Sequence, residues 1–425
     1  MEILVIGAGI AGLSAAISLA HSGHHLTVLE AQKELTPVGA GIQMPPNATK
    51  LFRGWGILDK IKEKATIPSD VSFRSYRDGQ ILHKHGLWPE MEERFGSPHV
   101  QIHRQALVEV LADEAVRLGV QVRFNHTVER IEDSMVKTSN GESFSADLII
   151  GADGERSFCR QLILGEPSLP RSTGTLVYRC NVDQQRLLDD PELCKDLQLP
   201  ILCSWLGPEA HAVVYSLDYN NVVTVAITCP DPVLGRVQFG PREGDINELK
   251  ASLAGWDPTL LKLLDLGTDL RFWTLLQLPE ENRIWTDAQS QKILLIGDAA
   301  HSMTPYIAQG ASQGLEDGAF LGHLFPGTSA PSEIPNKLKL FCERRQPRAF
   351  RVRNKAWSVG SVYQLTDGPE QQARDNRMQN EVPAKDFPNP FADPFLQSWL
   401  YDYDVQADVA DAIEKSTHGT DLKDE

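Results

Sequence analysis

The chain has 425 residues, which is enough for two domains or for one large domain with an insertion. Hydrophobic residues make up 41 % and charged residues 23 %, as in an ordinary globular enzyme, and the net charge of −16 argues against nucleic acid or an anionic membrane surface as a partner. A small anionic substrate is compatible with that charge, because local arginines can override the overall field.

Two features bear on the compartment. The cysteines show no CxxC or other metal spacing, so we predict reduced thiols in a cytoplasmic protein and no metal site, for positions 159, 180, 194, 203, 229 and 342. Residues 3–20 form an uncharged, largely apolar run like that of a signal peptide or an anchor. However, Glu2 rather than a basic residue precedes this run, and three glycines interrupt it. We therefore predict a soluble chain with no membrane span.

The first elements alternate as strand, helix and strand, at residues 3–6, 10–22 and 26–30. Between the first two lie Gly7, Gly9 and Gly12 of a GxGxxG motif, whose glycines permit a tight turn and close approach of a pyrophosphate to the helix N-terminus. Glu30 lies 18 residues after Gly12, where a carboxylate can accept hydrogen bonds from ribose hydroxyls. The alternative is a glycine-rich packing turn without a ligand.

Further elements follow in chain order. Residues 36–47 are rich in Gly and Pro and are predicted to be a loop, and helices are predicted to begin at 48 and to cover 103–118. Alternating apolar residues predict hairpin strands, with a turn at Asn140-Gly141, over residues 120–124, 127–133, 135–138 and 143–146. Residues 148–150 form a buried strand that runs into GADGERS at 151–157. Taken alone, this second turn has an ordinary alternative, in which Asp153 caps the following helix.

The pattern changes between residues 176 and 274. Strand candidates follow one another without the earlier βα alternation, so we predict an antiparallel sheet inserted into the nucleotide-binding domain, with strands at 201–206, 211–217 and 222–228. Residues 292–296 return to a buried strand, and 331–365 are predicted to form one or two helices. Beyond 366 the chain is polar and Pro-rich, apart from an aromatic cluster at positions 387, 391, 395, 399, 401 and 403. About the last ten residues have the composition of a disordered tail.

A second glycine-rich strand-to-helix turn occupies residues 297–317, GDAAHSMTPYIAQGASQGLED. Asp298 stands where a carboxylate can accept hydrogen bonds from polyol hydroxyls. Gly310 and Ala311 open a helix whose free N–H groups can face a ring system and stabilise the negative charge of a reduced flavin. A nucleotide-binding fold needs only the first motif. The two distant motifs therefore indicate one long cofactor, FAD, contacted from both ends of the chain.

These patterns predict an α/β fold, in which a Rossmann-like FAD-binding domain carries an inserted, mostly antiparallel β-sheet substrate domain and C-terminal helices. The predicted boundaries are 1–72, 101–174 and 276–330 for the three parts of the FAD-binding domain, 73–100 for a substrate-side segment, 175–275 for the substrate domain, 331–415 for the helical region and 416–425 for a disordered tail.

GAGIAG with Glu30, GADGERS and the 297–317 segment together resemble the FAD-dependent class A flavoprotein monooxygenases, over residues 1 to about 325. GIQMPPNATKLFRGWGI at 41–57 and IHRQAL at 102–107 are similar to the salicylate hydroxylase-like branch, which includes fungal enzymes of secondary metabolism. The tail PFADPFLQSWLYDYD resembles that branch less distinctively. The resemblance implies reduction of FAD by NADPH or NADH, reaction with O₂ to a C4a-hydroperoxyflavin, and oxygen transfer to an electron-rich ring, ideally a phenolate.

The resemblance also implies roles for individual residues. The implied FAD contacts, beside those of the first motif, are Gly41, Gln43, Arg104, Asp153, Asp298 and Ala311. Arg104 is implied to bind phosphate or ribityl oxygens, and Asp153 to serve both FAD and NAD(P)H. Glu155 departs from the Val or small apolar residue that is usual in GADGVRS, which leaves the contacts to the reductant open.

Hydroxylation of a phenolate needs a cation or donor near the ring and a wall that keeps water out. Arg179, on the first strand of the inserted sheet, resembles the substrate-facing arginine of fungal dearomatising members; a salt bridge at the surface or sheet edge is the alternative. His211 and Tyr215 lie four residues apart on one strand and point to one face. Tyr215 is similar to the pocket tyrosine of related hydroxylases, with a core tyrosine as the alternative. The resemblance thus implies Arg179 and Tyr215 as catalytic residues and His211 as a residue of the substrate pocket. Pro305 is predicted to shape the flavin face, and His301 to be structural.

The chain is thus predicted to be a single-component, NAD(P)H- and O₂-dependent FAD monooxygenase that hydroxylates a phenolic or aromatic-acid substrate, as a monomer or homodimer. The alternative among flavoenzymes is epoxidation or oxidative dearomatisation of a polyketide, indole or terpenoid metabolite. Outside them stand a flavin-independent dehydrogenase and a non-catalytic dinucleotide-binding regulator. The sequence contains no WxWxIP-like segment and no closely spaced cysteine pair, which argues against a flavin halogenase and a cysteine-ligated zinc site.

Overall fold

The computed structural model describes residues 1–35, 41–132, 134–233, 237, 239–279, 284–287 and 292–418. In chain order the strands are β1 (Glu2–Ile6), β2 (His25–Leu29), β3 (Gly41–Met44), β4 (Ala65–Thr66), β5 (Asp70–Ser75), β6 (Ile81–Gly86), β7 (Val100–His103), β8 (Gln121–Arg123), β9 (Val128–Glu132), β10 (Met135–Thr138), β11 (Ser143–Ser145), β12 (Leu148–Gly151), β13 (Arg171–Asp183), β14 (Leu202–Gly207), β15 (Ala210–Leu217), β16 (Val222–Pro230), β17 (Arg242–Glu243), β18 (Thr268–Gln277) and β19 (Ile293–Leu295). The helices are α1 (Ile10–His21), α2 (Pro46–Gly54), α3 (Leu58–Glu63), α4 (Glu90–Phe95), α5 (Arg104–Arg117), α6 (Phe158–Leu164), α7 (Gln184–Leu188), α8 (Pro191–Asp196), α9 (Ile246–Ser252), α10 (Pro258–Leu266), α11 (Asp298–His301), α12 (Gly310–Leu324), α13 (Ile334–Tyr363), α14 (Pro369–Asn380), α15 (Pro394–Tyr401) and α16 (Val405–His418).

A five-stranded parallel sheet, in the order β19-β12-β1-β2-β8, carries the nucleotide-binding motifs. Its strands are short apolar runs, and Val5, Val28 and Ile150 are fully buried, which is the pattern of strands covered on both faces. Because β1, β12 and β19 lie side by side and run in the same direction, the turns that follow them meet at one edge of the sheet. The predicted α/β class, with a parallel core and a separate antiparallel sheet, is confirmed.

Helix α12 packs closely against α1 because glycine recurs at every fourth position along it, at Gly310, Gly314, Gly318 and Gly322. A Cβ at Gly318 would lie 2.2 Å from Ser14 Oγ, so the helices approach until backbone meets side chain. Ser14 Oγ donates to the Gly314 carbonyl at 3.1 Å, and Ser22 Oγ donates to the Gly322 carbonyl at 2.7 Å. The contact places the first turn of α12 beside the first turn of α1.

The second large sheet has eight strands in the order β17-β18-β13-β16-β15-β14-β5-β6. Its neighbouring strands are antiparallel except for β14 and β5, which are parallel. Strands β5 and β6 come from before residue 100, so the sheet combines the predicted insertion with an earlier piece of chain. The domain boundaries drawn from the sequence stay a prediction.

Two predictions before residue 130, one of a loop and one of a hairpin strand, were wrong for the same reason. Residues 41–44, predicted as loop, form β3, which pairs antiparallel with β7 so that Gly41 stands opposite His103. Residues 121–123, predicted as a hairpin strand, form β8, which instead pairs in parallel with β2. In both places the partner strand is distant in sequence, and its hydrogen bonds outweigh the local composition. Residues 36–40 of the predicted loop lie outside the described residues.

The C-terminal part is helical from α13 to α16, although its composition beyond residue 366 is polar and Pro-rich. Pro369 and Pro394 stand in the first turns of α14 and α15, where the missing N–H has no partner to lose. Asp393 caps α15 by accepting from the N–H groups of Phe395 and Leu396. Helix α16 continues to His418, so residues 416–418 of the predicted disordered tail are helical. Residues 419–425 of that tail lie outside the described residues.

Four general findings complete the fold. Within the described residues, no helix has both the length and the apolar character needed to cross a membrane. Residues 3–20, the signal-like run, form β1 and most of α1. All six cysteines lie in the described part of the chain and are free thiols. In the same part, no group of three or more His, Cys, Asp and Glu residues could hold a metal ion.

Candidate active site

The three glycine-rich turns meet at the ends of neighbouring strands. GAGIAG follows β1, GADGERS follows β12 and the 297–317 segment follows β19, and these strands are adjacent in the sheet. A Cβ at Gly297 would lie 2.6 Å from Ala11 Cβ, so the first and third turns are in direct contact. Gly9, Gly154 and Asp298, one from each turn, line a single cavity of about 510 Å³. The segments predicted to bind the two ends of one cofactor therefore border the same space.

The GAGIAG turn is shaped to receive an anion. Gly7 has a φ of +104°, and a Cβ at Gly12 would lie 2.0 Å from the Gly7 carbonyl oxygen, so neither position accepts a side chain. Gly9 has open space where a Cβ would stand, and it is the N-cap of α1 with no side-chain cap. The first N–H groups of α1 are therefore available to a phosphate. Gly7 and Gly12 shape this turn from behind the cavity surface.

The two carboxylates that the sequence assigned to the cofactor, Glu30 and Asp153, accept hydrogen bonds from backbone groups. Glu30 accepts from the N–H of Ala8 at 2.8 Å and from the N–H of Gln32 at 2.9 Å. Asp153 accepts from the N–H of Cys159 at 3.0 Å through Oδ2, and its Oδ1 is buried without a partner among the described residues. Both carboxylates hold their turns in shape, and neither is on the cavity lining. Their contacts to FAD stay predictions.

The third turn presents a carboxylate and a helix N-terminus to the cavity. Gly297, with a φ of +58°, leads into α11, whose first residue Asp298 lines the cavity. Gly310 and Ala311, in the first turn of α12, line it as well, and the N-cap Gln309 makes no side-chain cap hydrogen bond. A polyol can thus bind Asp298 while the first N–H groups of α12 meet an acceptor. This combination of a carboxylate acceptor and N–H donors fits a ribityl chain followed by a flavin ring.

Strand β3 and the start of α5 form a further wall of the cofactor part. Gly41, Gln43 and Arg104 all line the cavity. The Oε1 atom of Gln43 is buried without a partner among the described residues. A buried amide oxygen without a donor costs about 1–3 kcal/mol, so it favours a ligand that carries an N–H, as the flavin ring does. The residues present therefore fit FAD.

Glu155, the departure in GADGERS, lies close to Asp298. Burial, together with the nearby charge of Asp298, raises the pKa of Glu155 to about 7. The buried Arg160 guanidinium donates to the Glu155 carbonyl at 2.5 Å and to the Ala299 carbonyl at 2.9 Å. Arg160 therefore joins the second turn to the third, and Glu155 is an ionisable group at the point where they meet.

One face of the eight-stranded sheet lines the rest of the cavity. A row of successive cross-strand partners crosses this face, from β13 to β5, as Arg179, Ala226, Val213, Ser204 and Phe73. Cross-strand partners point to the same face, and all but Phe73 line the cavity. Between Arg179 and Phe73 the row carries small or apolar side chains. The floor of the cavity is thus largely apolar, with one cation at one end.

Arg179 is the cation of this surface. Its guanidinium lies over the ring of Trp273, 5.6 Å from the centroid, and Trp273 also lines the cavity. Strand β13 lies between β18 and β16, so Arg179 is not at a sheet edge and the edge salt bridge considered from the sequence does not apply. Pro305, on the loop between α11 and α12, lines the cavity as well.

His211 and Tyr215 both line the cavity from β15. Burial lowers the pKa of His211 to about 3, so its ring is neutral. The Gln364 amide nitrogen, which can only donate, lies 3.0 Å from His211 Nδ1, which places the ring proton on Nε2. Burial raises the pKa of Tyr215 to about 12, and its hydroxyl donates to the Gly41 carbonyl at 2.8 Å.

Comparison with known proteins identifies this architecture. A family model described as an FAD binding domain matches residues 1–178 and 268–355. The FAD-dependent monooxygenase OpS4 of Beauveria bassiana (strain ARSEF 2860) is 34 % identical over 98 % of both chains. The chain belongs to the FAD-dependent monooxygenases. The resemblance stated from the three motifs is confirmed, and so is FAD as the cofactor.

Other known proteins align with this monooxygenase over nearly its whole length. The 3-hydroxybenzoate 6-hydroxylase of Polaromonas naphthalenivorans (strain CJ2) is 31 % identical, over 95 % of this chain and 96 % of that protein. The solved structure of Klebsiella pneumoniae HpxO complexed with FAD and uric acid has a TM-score of 0.73 and 27 % identity, over 90 % of this chain and 93 % of that chain.

A buried ion network behind the cofactor part of the monooxygenase was not predicted from the sequence. Arg345 donates to Asp317 Oδ1 and to Glu316 Oε2, each at 2.8 Å, and all three side chains are fully buried. Arg348 adds two bonds to Glu316, at 2.7 and 2.9 Å. Burial works to raise the pKa of both acids, but the neighbouring cations outweigh it and hold both pKa values below their ordinary range.

This network holds the third turn in place. Asp317 Oδ2 accepts from the Gly297 N–H at 3.0 Å and lies 2.6 Å from His301 Nε2. Glu316 accepts from Asn47 Nδ2 at 2.7 Å, and the same amide donates to the Gln309 side chain at 2.9 Å. The available signal was the pair of adjacent acids in the otherwise apolar GLEDGAFLG segment, since such acids need buried cations as partners.

Proposed function

We propose that this monooxygenase hydroxylates a phenolic or aromatic-acid substrate, with NADPH or NADH as the reductant and O₂ as the source of oxygen. A ring C–H bond is replaced by C–OH. The second oxygen atom leaves as water. The hydride of the nicotinamide supplies two electrons and one hydrogen, and this hydrogen, one proton from solvent and the displaced ring hydrogen account for the hydroxyl of the product and the two O–H bonds of water. The proposal rests above all on one observation, the placement of Arg179 on the cavity floor. Free thiols favour a cytoplasmic location.

The residues that would hold the cofactor come from two distant segments of the chain. Bound FAD supplies the redox chemistry, which passes electrons to O₂ and makes one oxygen atom available for transfer. The N–H groups after Gly9 would bind its phosphates and Asp298 its polyol hydroxyls. The positive end of α12, at Gly310 and Ala311, would face the ring and favour negative charge on it.

Arg179 would bind and activate the substrate. A guanidinium among apolar side chains attracts a phenolate or carboxylate more strongly than it would in water, because the local dielectric is low. It therefore favours the deprotonated phenol, whose ring is the more electron-rich. Support comes from the 3-hydroxybenzoate 6-hydroxylase relative, whose name describes a phenolic acid as substrate.

His211 and Tyr215 would then position the substrate. The neutral His211 ring carries its proton on Nε2, so it can donate to a substrate oxygen without adding charge. The Tyr215 proton is used in the bond to Gly41, so towards a substrate its oxygen can only accept. Tyr306 and Met303 line the cavity beside Pro305 and, with the apolar sheet face, keep water from the reacting atoms.

The test is substrate-stimulated oxidation of NADPH and NADH by the FAD-loaded protein, across a panel of phenolic acids, with products examined for a mass gain of one oxygen atom. Arg179→Ala is expected to lower the stimulated rate roughly 10- to 100-fold, the loss of one charge-assisted hydrogen bond, while FAD content is kept. Arg271→Ala is the matched control, because Arg271 is the cross-strand partner of Arg179 but pairs with Asp269 and does not line the cavity. An unchanged stimulated rate in Arg179→Ala, or loss of its FAD, would contradict the proposal.

A further inference from the structure

The cavity floor ends at an aromatic wall on the side away from Arg179. Phe73 is the last member of the cross-strand row that begins at Arg179. Its ring packs against Tyr363, with centroids 5.5 Å apart, and against Phe391, with centroids 6.4 Å apart. Tyr363 and Phe391 both line the cavity. Four strand spacings of about 4.8 Å separate the backbones of Arg179 and Phe73, or about 19 Å in all.

Phe391 is held against this wall from several sides. Its N–H donates to Asn389 Oδ1 at 2.9 Å, and the Asn389 amide donates to His83 Nδ1 on β6 at 2.9 Å. The Gln397 amide donates to the Phe391 carbonyl. The Phe391 ring also stands edge-on to the ring of His99, with centroids 5.7 Å apart. The end of the cavity is therefore fixed by the C-terminal segment folding back onto β5 and β6.

We propose that Phe391 is a specificity-determining residue, and that the site takes an elongated phenol of at least two rings, with its anionic oxygen at Arg179 and its apolar end at Phe391. The inference rests on the proposed function and makes its substrate class narrower. A single-ring acid bound to Arg179 leaves the apolar floor at Ala226 and Val213 uncovered. A second ring covers it and gains affinity in proportion to the apolar area removed from water.

The chain offers a matched control for Phe391. Phe395 lies four residues further along the same segment, at the start of α15, and its side chain is 62 % exposed whereas that of Phe391 is 8 % exposed. Removing either ring deletes the same atoms from the same segment. An effect of Phe391→Ala that Phe395→Ala does not share therefore comes from the cavity wall.

The experiment measures binding to the FAD-loaded protein through the change in flavin absorbance. The one-ring probe is 3-hydroxybenzoate, and the two-ring probe is 4-hydroxy-2-naphthoate, which carries both polar groups on one ring and leaves the second ring apolar. The unaltered protein is expected to bind the naphthoate about tenfold more tightly. Phe391→Ala, which removes the wall, and Phe391→Trp, which shortens the cavity, are each expected to lower that preference to about twofold or less, mainly through weaker binding of the naphthoate. Phe395→Ala is expected to keep both affinities.

Three results would overturn the inference: no preference for the naphthoate in the unaltered protein, an unchanged preference in both Phe391 variants with normal FAD content, or an equal loss of preference in Phe395→Ala. The one-ring probe separates this failure from that of the proposed function. If 3-hydroxybenzoate binds through Arg179 but length has no effect, only the Phe391 inference is wrong. If neither probe perturbs the flavin, both proposals are wrong.

Discussion

The Tyr215 hydroxyl donates a 2.8 Å hydrogen bond to the carbonyl oxygen of Gly41, and this bond ties the substrate sheet to the cofactor side of the cavity. Tyr215 lies on β15 and Gly41 on β3, so elements far apart in sequence meet here. A Cβ at position 41 would lie 2.4 Å from the tyrosine ring, so only glycine allows the approach. The two sides of the cavity are thereby held at a set distance.

Tyr215→Phe is expected to lower the free energy of unfolding by about 1–3 kcal/mol, because the buried Gly41 carbonyl loses its donor. We expect the dissociation constant of FAD to rise, since β3 also carries Gln43, and kcat at saturating FAD to fall less than tenfold. Chemical denaturation, flavin titration and steady-state kinetics measure the three quantities. A collapse of kcat with unchanged FAD affinity would instead assign Tyr215 the catalytic role that the resemblance implies.

Asp298→Ala is expected to lose bound flavin, because the carboxylate that would accept from the polyol hydroxyls is gone. Asp298→Asn keeps an acceptor oxygen and should retain part of the cofactor. Flavin absorbance per protein after purification measures the occupancy, and Asp59→Ala, an exposed position on α3, is the control. Full occupancy in Asp298→Ala would count against the assignment of the third turn to the cofactor.

The cofactor part was largely predictable from the sequence because its signals are local. β1, α1 and β2 end within one or two residues of their predicted bounds, since apolar periodicity and glycine positions act within a single turn. β3 and β8 were not predicted correctly, because their state depends on pairing with β7 and β2. Strand pairing between distant segments leaves no mark on local composition.

The substrate part was predictable residue by residue but not as a surface. Arg179, His211 and Tyr215 all lie on one cavity, as expected from their strand positions. Their relation to Phe391 depends on the order of the strands and on the C-terminal segment folding back, neither of which a single sequence specifies. The glycines of α12, in contrast, recur every four residues in the sequence, and this spacing would have indicated that the helix packs closely on α1.

Gly318→Ala is expected to be strongly destabilising, since the added Cβ would lie 2.2 Å from Ser14 Oγ and 2.5 Å from the backbone nitrogen of Ala15. The helices must separate, which costs on the order of 1–3 kcal/mol and moves the first turn of α12 away from the flavin ring. Gly54→Ala, in a helix but with open space around the new Cβ, should be neutral or slightly stabilising. Thermal unfolding and FAD content test both, and equal behaviour of the two variants would refute the packing argument.

Arg345→Met is expected to cost about 3–5 kcal/mol, because it removes the buried guanidinium that pairs with the buried Asp317 carboxylate. The Gly297 turn bonded to Asp317 should loosen as well, so FAD content should fall. Arg344→Met is the control: the neighbouring residue pairs with Asp408 and Asp411 on α16 and should cost about 1 kcal/mol or less. Similar denaturation midpoints for the two variants would show that the network contributes little.

Glu155 gives the monooxygenase a pH dependence whose sign follows from its burial. Burial and the charge of Asp298 raise the pKa of this carboxyl to about 7 in the folded chain, against 4.5 for an ordinary glutamate. The folded state therefore holds the proton more tightly than the unfolded state. The contribution of the protonated Glu155 carboxyl to the free energy of unfolding is complete below pH 4.5. It is lost as the pH rises through about 7, when a charged carboxylate must stay buried beside Asp298.

Glu155→Gln removes this titration while keeping the shape of the side chain. The variant and the unaltered protein should have similar melting temperatures near pH 5, and the variant should become the more stable of the two as the pH rises past about 7. Thermal unfolding in a single ionic-strength-matched buffer series measures the difference, with Glu166→Gln at an exposed position after α6 as the control. Because Asp298 faces Glu155, FAD retention in the unaltered protein should also weaken over the same interval and stay level in the variant. Parallel stability curves for Glu155→Gln and the unaltered protein would place the Glu155 charge in solvent and remove it from the cofactor site.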